Sequence, residues 1–369
     1  MQTGKASDMA KPGYKSNKRS GRMSTPRRGQ ASADQGGISH HKPKVAKALP
    51  QPSSLSSPPP RRKYSGARLS ERTGLVLEAL PNSDYALLDS GNGEKLERYG
   101  DLTIRRPEGQ AIWQPVLDVA QWEKADAIFT GAIDEEGQGR WRYPKHPLAE
   151  TWLLAFDRLS YLGRFTSFRH TGVFPEQAVH WDALQKVIAG AGRPVRMLNL
   201  FGYTGLASLV AARAGAEVTH VDASKKAIGW ARENQEVAGL IDKPIRWICD
   251  DAVKFCMREE RRGQSYDVIL LDPPAYGRGP KGETWQLFEN LPHMLDLIRA
   301  LQSKQPLMTV LTSYAIRASH FAIHEIMQEV FAGLDGRIES GELVLRQEHG
   351  GRSLSTSMFS RYMSAECTL

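Results

Sequence analysis

The sequence is poor in cysteine and contains no long hydrophobic run. Its three cysteines, Cys249, Cys256 and Cys367, are too few and too scattered for a disulfide framework or a zinc site. No stretch of 18 apolar residues occurs, and the polar N-terminus lacks the apolar core of a secretory signal. These absences predict a protein of the reducing cytoplasm, with no membrane span and no structural metal.

Acidic residues are rare in the first part of the chain. Residues 1–68 contain 15 Lys and Arg against the acids Asp8 and Asp34, whereas the rest of the chain has 34 basic and 39 acidic residues. The net charge of +8 therefore belongs to this segment. It is rich in Pro, Gly and Ser, so residues 1–70 are predicted to be a disordered basic tail. Such a tail attracts polyanions; the alternatives are a solubilising extension or a true start at Met23.

Two segments with different patterns follow the tail. Residues 71–146 alternate apolar and polar positions around turns such as Gly91-Asn92-Gly93, which predicts a small β-rich hairpin domain. Residues 147–192 are predicted to be a helical connector that leads to the next domain. The apolar residues that recur there at helical spacing are Leu148, Trp152, Phe156 and Leu159.

Residues 193–369 alternate apolar strands with helices. The strands read "VRMLNL", "EVTHVD", "IRWICD" and "YDVILLD", a pattern typical of a parallel sheet covered on both faces. The last stretch, "GELVLRQEHGGRSLSTSMFSRYM", indicates two strands around Gly350-Gly351. The predicted fold class is therefore α/β, with an antiparallel hairpin at the end of a parallel sheet.

The first four strands of this domain end in polar or glycine-rich residues. Strand one runs into "NLFGYTG", residues 199–205, whose two glycines would let the backbone approach a ligand closely. Strand two ends at Asp222, which can accept both hydroxyls of a ribose. Strand three ends at Asp251, which can accept from an adenine amine, and strand four ends at Asp272. Because ligands bind beyond the carboxyl ends of such strands, one nucleoside pocket is predicted.

These stretches resemble class I S-adenosylmethionine-dependent methyltransferases of the bacterial 23S ribosomal RNA cytosine-5 and guanine-7 type. The resemblance spans residues 165–362 and includes "TGVFPEQAVHW", "LNLFGYTGLASL", "VDASKKAIGWARENQ", "CDDAVKF" and "LLDPPAYGRG". It implies a Rossmann-like seven-stranded sheet with an antiparallel last strand, a β-rich domain that positions RNA, and S-adenosylmethionine as cofactor. It also implies a cofactor site formed by Phe174, Gln177, Asn199, Phe201, Tyr203, Gly205, Asp222, Asp251 and Asp272.

The stretch "LLDPPAYGRG" provides the predicted catalytic residues, Asp272, Pro273, Pro274 and Tyr276. The two prolines fix φ and lack backbone donors, so the loop is expected to be stiff and its carbonyls free. Asp272 and those carbonyls would align an amine or ring nitrogen with the methyl group, and Tyr276 would stack on a flipped base. The alternative is a tight turn with a helix-capping Asp272 and a packed Tyr276.

The cysteine positions bear on the atom that is methylated. Methylation of cytosine C5 requires a cysteine nucleophile, which the resembling enzymes carry near the end of strand four or five. Here those ends read Pro273-Pro274-Ala275 and Thr312-Ser313-Tyr314. Cys249 and Cys256 belong to strand three and its helix, and are expected to pack as small apolar residues. Transfer to a base nitrogen is therefore favoured over cytosine C5.

The predicted function is methylation of RNA, with 23S ribosomal RNA or a ribosomal assembly intermediate as the substrate. Three alternatives stay open. The acidic body outside the tail fits a protein or small-molecule substrate, and a catalytically silent RNA-binding protein would keep the same fold. A nicotinamide-dependent oxidoreductase would need G-x-G-x-x-G after strand one, which "GYTGLA" does not match.

Overall fold

The computed structural model describes residues 60–131, 139–314 and 318–367, which fall within one unit of the chain. None of the helices in these ranges has the length and apolar character that a membrane crossing requires. Most of the predicted basic tail lies outside the described residues.

Residues 70–164 form eight strands and one short helix. They are β1 (Ser70–Ala79), β2 (Tyr85–Gly91), β3 (Glu94–Tyr99), β4 (Leu102–Pro107), α1 (Val119–Trp122), β5 (Ala127–Gly131), β6 (Gly139–Arg142), β7 (Thr151–Phe156) and β8 (Leu159–Arg164). Strands β2 to β6 form a five-stranded sheet in chain order, in which β4 and β5 are parallel and the other neighbours antiparallel. The segment predicted to be β-rich therefore contains a sheet of its own.

The remaining residues alternate helices and strands after a 3₁₀ turn at Pro175–Gln177. The helices are α2 (Ala178–Gly190), α3 (Leu206–Arg213), α4 (Lys225–Val237), α5 (Ala252–Arg261), α6 (Leu287–Ala300) and α7 (His320–Phe331). The strands are β9 (Arg196–Leu200), β10 (Glu217–Asp222), β11 (Ile245–Cys249), β12 (Val268–Leu271), β13 (Tyr276–Arg278), β14 (Thr284–Gln286), β15 (Met308–Tyr314), β16 (Arg337–Arg346) and β17 (Ser353–Met363). The predicted α/β alternation and the terminal antiparallel hairpin are confirmed.

The main sheet has the strand order β1-β16-β17-β15-β12-β9-β10-β11. All neighbours pair in parallel except those of β17, which is antiparallel to both β15 and β16. Alternate residues of β9 enter two cores, since Met197 packs with α2 and α3 while Leu198 packs with α5, α6 and α7. Both faces of the sheet are therefore covered, and its carboxyl-terminal edge is left for a ligand.

The sheet has eight strands rather than the predicted seven. The additional strand is β1, most of which the sequence analysis placed in the β-rich domain, and it pairs with β16 from Ser70 opposite Arg337 to Ala79 opposite Leu345. The register shifts after Arg72, where a Cβ on Gly341 would overlap the Leu75 carbonyl oxygen. Glycine therefore permits this edge pairing, which local sequence cannot reveal.

The helix predicted from Pro147 is wrong, because this segment forms the β7–β8 hairpin. Asp157 and Arg158 have φ of 45° and 63°, the combination found in tight two-residue hairpin turns. The apolar spacing that suggested a helix also fits a strand, since Trp152, Leu154 and Phe156 alternate along β7. The turn contains neither Asn-Gly nor Asp-Gly, the dipeptides that mark a two-residue hairpin turn, so the sequence did not indicate a hairpin here.

Residues 61–69, which the sequence analysis placed in the disordered tail, form an ordered N-terminal strap. Arg61 Nε and the Arg62 backbone nitrogen both donate to Asp296 at 3.2 Å, and the Tyr64 hydroxyl donates to it at 3.0 Å. Leu69 is buried in the core beneath α7. The strap is ordered because Tyr64 and Leu69 bury apolar surface and a carboxylate of α6 pairs with its charges.

Candidate cofactor and acceptor site

A cavity of about 340 Å³ opens at the carboxyl ends of β10, β11 and β12, within the range of roughly 300–1,000 Å³ usual for small-molecule sites. We call it the main cavity. A smaller inner cavity adjoins it and also takes in Gln177 and Asn199. The predicted site residues that line the main cavity are Phe174, Phe201, Tyr203, Asp222, Asp251, Asp272, Pro273 and Pro274.

The loop after β9 has a strained backbone at the wall of both cavities. Phe201 and Tyr203 have φ of 55° and 51°, a region that is costly for bulky side chains and is often found at functional sites. The backbone nitrogen of Tyr203 donates to Asp222 Oδ2 at 2.9 Å, and that of Ser224 donates to Asp222 Oδ1 at 2.8 Å. Asp222 therefore holds the loop in this conformation and links it to the end of β10.

Asp222 also keeps capacity for a ligand. Each carboxylate oxygen has two lone pairs, and each accepts one backbone N–H. Burial raises the pKa of Asp222, and the N–H groups of Ser224 and Tyr203 act in the opposite direction. Two hydroxyl groups of a ligand would therefore donate further hydrogen bonds to a carboxylate that is shielded from water by burial.

Asp272 lies at the centre of a side-chain network beyond β12. The Thr312 hydroxyl donates to Asp272 Oδ1. Gln177 Nε2 lies 3.4 Å from Asp272 Oδ2 and 3.3 Å from Thr312 Oγ1. The network joins the 3₁₀ turn, β12 and β15, so Asp272 is fixed from two sides at the junction of the cavities.

We call the segment Pro273-Pro274 the proline lip. One of its two carbonyl oxygens already accepts a hydrogen bond from the protein. Trp285 Nε1 donates to the Pro274 carbonyl oxygen at 2.7 Å, whereas the sequence analysis expected both carbonyls to be free. The Pro273 carbonyl accepts from no described residue. One carbonyl of the pair is therefore available to a ligand, and β14 braces the other.

Two predicted residues do not line either cavity. Gly205 is the N-cap of α3 with φ of 83°, and a Cβ there would lie 2.9 Å from the Trp247 ring. A Cβ on Gly202, which lines the inner cavity, would meet His220 at 2.4 Å. Both glycines permit packing against the protein, and the close approach of their backbone to a ligand stays a prediction. Tyr276 is 41% exposed at the start of β13, outside both cavities.

The predicted role of Asn199 is also altered by its surroundings. Its side chain lines the inner cavity, but Nδ2 donates to Ser208 Oγ at 2.9 Å, and that oxygen lies 3.0 Å from His220 Nδ1. Burial lowers the pKa of His220 to about 3. Asn199 therefore belongs to a buried network beneath the cavity, with its amide oxygen left for a ligand.

Two residues at the wall of the main cavity, Tyr314 and His170, and Glu176 behind it were not in the predicted site. Tyr314 lines the main cavity, its hydroxyl donates to Glu176, and its ring lies 4.9 Å from that of Phe174. Burial raises the pKa of Glu176. Burial, and then the charge of Arg106, lowers the pKa of His170 to about 3. The stretch "TGVFPEQ" indicated this region, but burial of the Glu176 carboxyl depends on β15, more than 130 residues away.

None of the three cysteines lines the two cavities. Cys256 is buried in the core, as expected, whereas Cys249 is exposed at the end of β11. The expectation that Cys249 packs as a core residue is therefore wrong, because β11 is the last strand of the sheet and one edge of it is uncovered. The structure offers no cysteine nucleophile among the described residues of the cavity walls.

The chain is similar in sequence to a known protein family and to ribosomal RNA methyltransferases. Residues 166–295 match the family described as "Conserved hypothetical protein 95". A ribosomal RNA large subunit methyltransferase K/L from Syntrophotalea carbinolica is 33% identical over 125 residues, or 34% of this chain and 16% of its own length. A ribosomal RNA large subunit methyltransferase K from Neisseria meningitidis is 26% identical over 213 residues, or 55% of this chain and 57% of its own. The chain therefore spans less than two thirds of these curated relatives.

One solved structure matches over nearly its whole length. It is the crystal structure of a SAM-dependent methyltransferase from Agrobacterium tumefaciens, with 56% sequence identity and a TM-score of 0.80. The match covers 82% of this chain and 97% of that chain. The chain belongs to the family of S-adenosylmethionine-dependent methyltransferases.

Proposed function

We propose that the protein transfers a methyl group from S-adenosylmethionine to a base nitrogen of RNA, with 23S ribosomal RNA in the cytoplasm as the substrate. The observation that carries this proposal is the convergence of Asp222, Asp251 and Asp272 on one cavity beside a proline lip. The names of the curated relatives support ribosomal RNA as the substrate class.

The wall chemistry of the main cavity fits this cofactor. Four carboxylates at three successive strand ends and aromatic rings from Phe174 and Phe201 line it. Asp222 would accept the ribose hydroxyls, and Asp251 would accept from the adenine amine. Asp251 also caps α5, with Oδ1 accepting from the Lys254 backbone nitrogen at 2.9 Å. Oδ2 accepts from no described residue and would be the acceptor for the amine. Such an acidic wall favours a sulfonium cation and opposes the pyrophosphate of a nicotinamide dinucleotide.

The remaining predicted residues would position the methionine end and the acceptor. When bound, S-adenosylmethionine supplies an electrophilic methyl group. Gln177, Tyr203 and the backbone near Gly205 would hold the amino acid part, while Asp272 and the Pro273 carbonyl would accept hydrogens from an acceptor amine. Because such a transfer depends mainly on alignment and charge placement, the braced lip suits it without a general base.

The absence of a cysteine among the described wall residues favours nitrogen over cytosine C5. Attack on C6 of cytosine needs a thiolate. The resembling enzymes carry a cysteine near the ends of the strands that correspond to β12 and β15, where this chain has Pro273 and Ser313. Tyr276, exposed beside the lip, would stack on the acceptor base once the base leaves its helix.

Nucleoside mass spectrometry of 23S ribosomal RNA tests the function. RNA from cells that lack the gene should have lost one N-methylated base, and the purified protein should restore it with S-adenosylmethionine. The Asp272→Asn variant should bind the cofactor but should restore the methylated base at least a hundredfold more slowly than wild type. Loss of 5-methylcytosine would contradict the nitrogen assignment. Cofactor binding with unchanged ribosomal RNA would contradict the substrate.

The role of the basic tail is tested by a shorter chain that begins at residue 60. Residues 1–59 contain 11 Lys and Arg and two acids, and removing them keeps the N-terminal strap intact. RNA affinity should fall and its dependence on salt should flatten, because fewer counterions are released on binding. Fluorescence anisotropy with labelled RNA at several salt concentrations measures this. An unchanged salt slope would show that the tail does not contact RNA.

A further inference from the structure

A second cavity of about 470 Å³ lies behind the inner cavity. The end of β1 and the link to β2 form one side, the β7–β8 hairpin another, and α2 the third. Val173 and Trp181 line both this second cavity and the inner cavity. Its volume is in the range of about 300–1,000 Å³ found for small-molecule sites, so it has room for a ligand of its own.

Aromatic rings form much of its wall. The rings of Phe156 and Trp181 meet edge to face at 4.9 Å between centroids. Tyr161 from β8 and Tyr85 from β2 add two more rings. Ring faces of this kind attract organic cations within about 6 Å of their centroids.

Two polar groups of largely buried side chains on this wall lack a protein partner. Tyr161 and Trp181 are only 5% and 6% exposed, yet neither the Tyr161 hydroxyl nor the Trp181 indole N–H forms a hydrogen bond with a described residue. The other phenol, Tyr85, donates to Glu97 at 3.0 Å. Because no described residue bonds to these two groups, a ligand in the cavity can bond to them.

The charged residues that line the cavity are all acidic. They are Glu78, Asp84, Asp157 and Asp182. Glu78 pairs with Arg346 and Asp157 with Arg213, whereas Asp84 and Asp182 have no ion-pair partner among the described residues. No Lys, Arg or His of the described chain lines the cavity, so it repels anions, including RNA phosphates.

We propose that the second cavity binds an organic ammonium ion of polyamine size. Asp84 and Asp182 would pair with the charged nitrogens at the rim, and the rings of Phe156 and Trp181 would pack on the carbon chain. The Tyr161 hydroxyl would accept a hydrogen from the innermost ammonium. Burial and then the Asp84 charge raise the pKa of Tyr161, so the phenol stays neutral, and a neutral phenol oxygen can accept a hydrogen bond.

Isothermal titration of the full chain with spermidine tests the proposal. Wild type should bind one equivalent, and 1,8-octanediol, an uncharged chain of similar length, should not bind. Tyr161→Phe should weaken binding about tenfold, since a hydrogen bond to a charged group is worth about 1.5 kcal/mol. Asp84→Asn should weaken it several-fold. The matched control is Asp101→Asn, an exposed acid in the turn after β3, which should bind as wild type does.

Three results would overturn the proposal. They are the absence of spermidine binding, equal binding of the diol, and equal weakening by Asp84→Asn and Asp101→Asn, which would indicate general attraction to an acidic surface. Thermal melting and cofactor affinity of each variant show that it is folded. Neither spermidine binding nor these two controls depends on methyl transfer. Failure of this proposal can therefore be distinguished from failure of the proposed function.

Discussion

Asp222 combines support of the backbone with a proposed ligand contact. It holds the strained loop at Tyr203 and the start of α4 through two backbone nitrogens. The remaining lone pairs face a cavity whose ligand we propose to carry ribose hydroxyls. A single carboxylate therefore connects loop strain with cofactor affinity.

Replacing Asp222 should weaken cofactor binding by more than tenfold. Asp222→Asn keeps the size of the side chain but loses the charge and one acceptor, and charge-assisted hydrogen bonds contribute about 1.5–3 kcal/mol each. Equilibrium dialysis with S-adenosylmethionine measures the affinity. Glu217→Gln, at the exposed opposite end of β10, is the matched control and should bind normally. An unchanged affinity in Asp222→Asn would contradict the proposed contact between Asp222 and the ribose hydroxyls.

At the residue scale, the sequence was informative where a side chain directly follows an apolar strand. Asp222, Asp251 and Asp272 lie at the cavity because parallel strands end at one edge. The role of Gly205 could not be predicted, since it depends on the Trp247 ring packed against it. Tyr276 lies outside the cavities although the next three residues line the main cavity, and no local pattern indicates that.

At the element scale, the β7–β8 hairpin shows how a turn overrides apolar spacing. Arg158 is exposed and has φ of 63°, a conformation that costs L-residues roughly 1–2 kcal/mol and glycine almost nothing. Arg158→Gly should therefore stabilise the protein by about 1 kcal/mol, measured by urea denaturation. Arg140→Gly in the regular strand β6 should be destabilising, because glycine is unfavourable there. Equal destabilisation by both would contradict the turn assignment.

The N-terminal strap should contribute more to stability than its surface charges suggest. Asp296 is 1% exposed and accepts from Arg61, Arg62 and Tyr64. Asp296→Ala should lower the free energy of unfolding by about 2–3 kcal/mol, since it removes three hydrogen bonds to a buried carboxylate. Glu325→Ala, which removes the exposed pair with Arg68, should cost less than about 1 kcal/mol. Similar effects of the two changes in urea denaturation would show that the strap is only loosely held.

At the scale of the whole molecule, two buried histidines and the half-buried His170 make stability depend on pH. Burial lowers the pKa of His170 and His220 to about 3, and lowers that of His180 well below its usual value. Each is neutral in the folded chain but binds a proton below pH 6.5 when unfolded. Stability is therefore fully present above pH 6.5 and falls as the pH decreases toward the folded pKa, by about 1.4 kcal/mol per pH unit for each histidine.

His180→Phe should reduce this loss. Neither ring nitrogen of His180 has a hydrogen-bond partner among the described residues, and the ring packs edge to face with Phe359, so phenylalanine keeps the contact and removes the titration. Between pH 7 and pH 5 the variant should lose about 2 kcal/mol less than wild type, measured by urea denaturation at both pH values. His349→Asn, in an exposed loop, should lose as much as wild type. An unaltered loss in His180→Phe would show that His180 does not titrate on unfolding.

The sequence predicted the α/β class of the whole molecule but not how its parts join. Alternating apolar runs are local signals, so β9 to β12 and their helices were found near their observed bounds. The pairing of β1 with β16 and the contact of the strap with α6 join residues far apart in the chain. Such contacts depend on surfaces that exist only after folding, so β1 and the strap were assigned to the wrong parts.

The β1–β16 pairing also constrains when the protein can fold during its synthesis. Ser70 leaves the ribosome more than 260 residues before its partner Arg337. Until then the nascent chain presents β1 as an open hydrogen-bonding edge, and such edges are templates for aggregation. Closing a loop of this length is slow, so completion of the main sheet is a late event that follows release of nearly the whole chain.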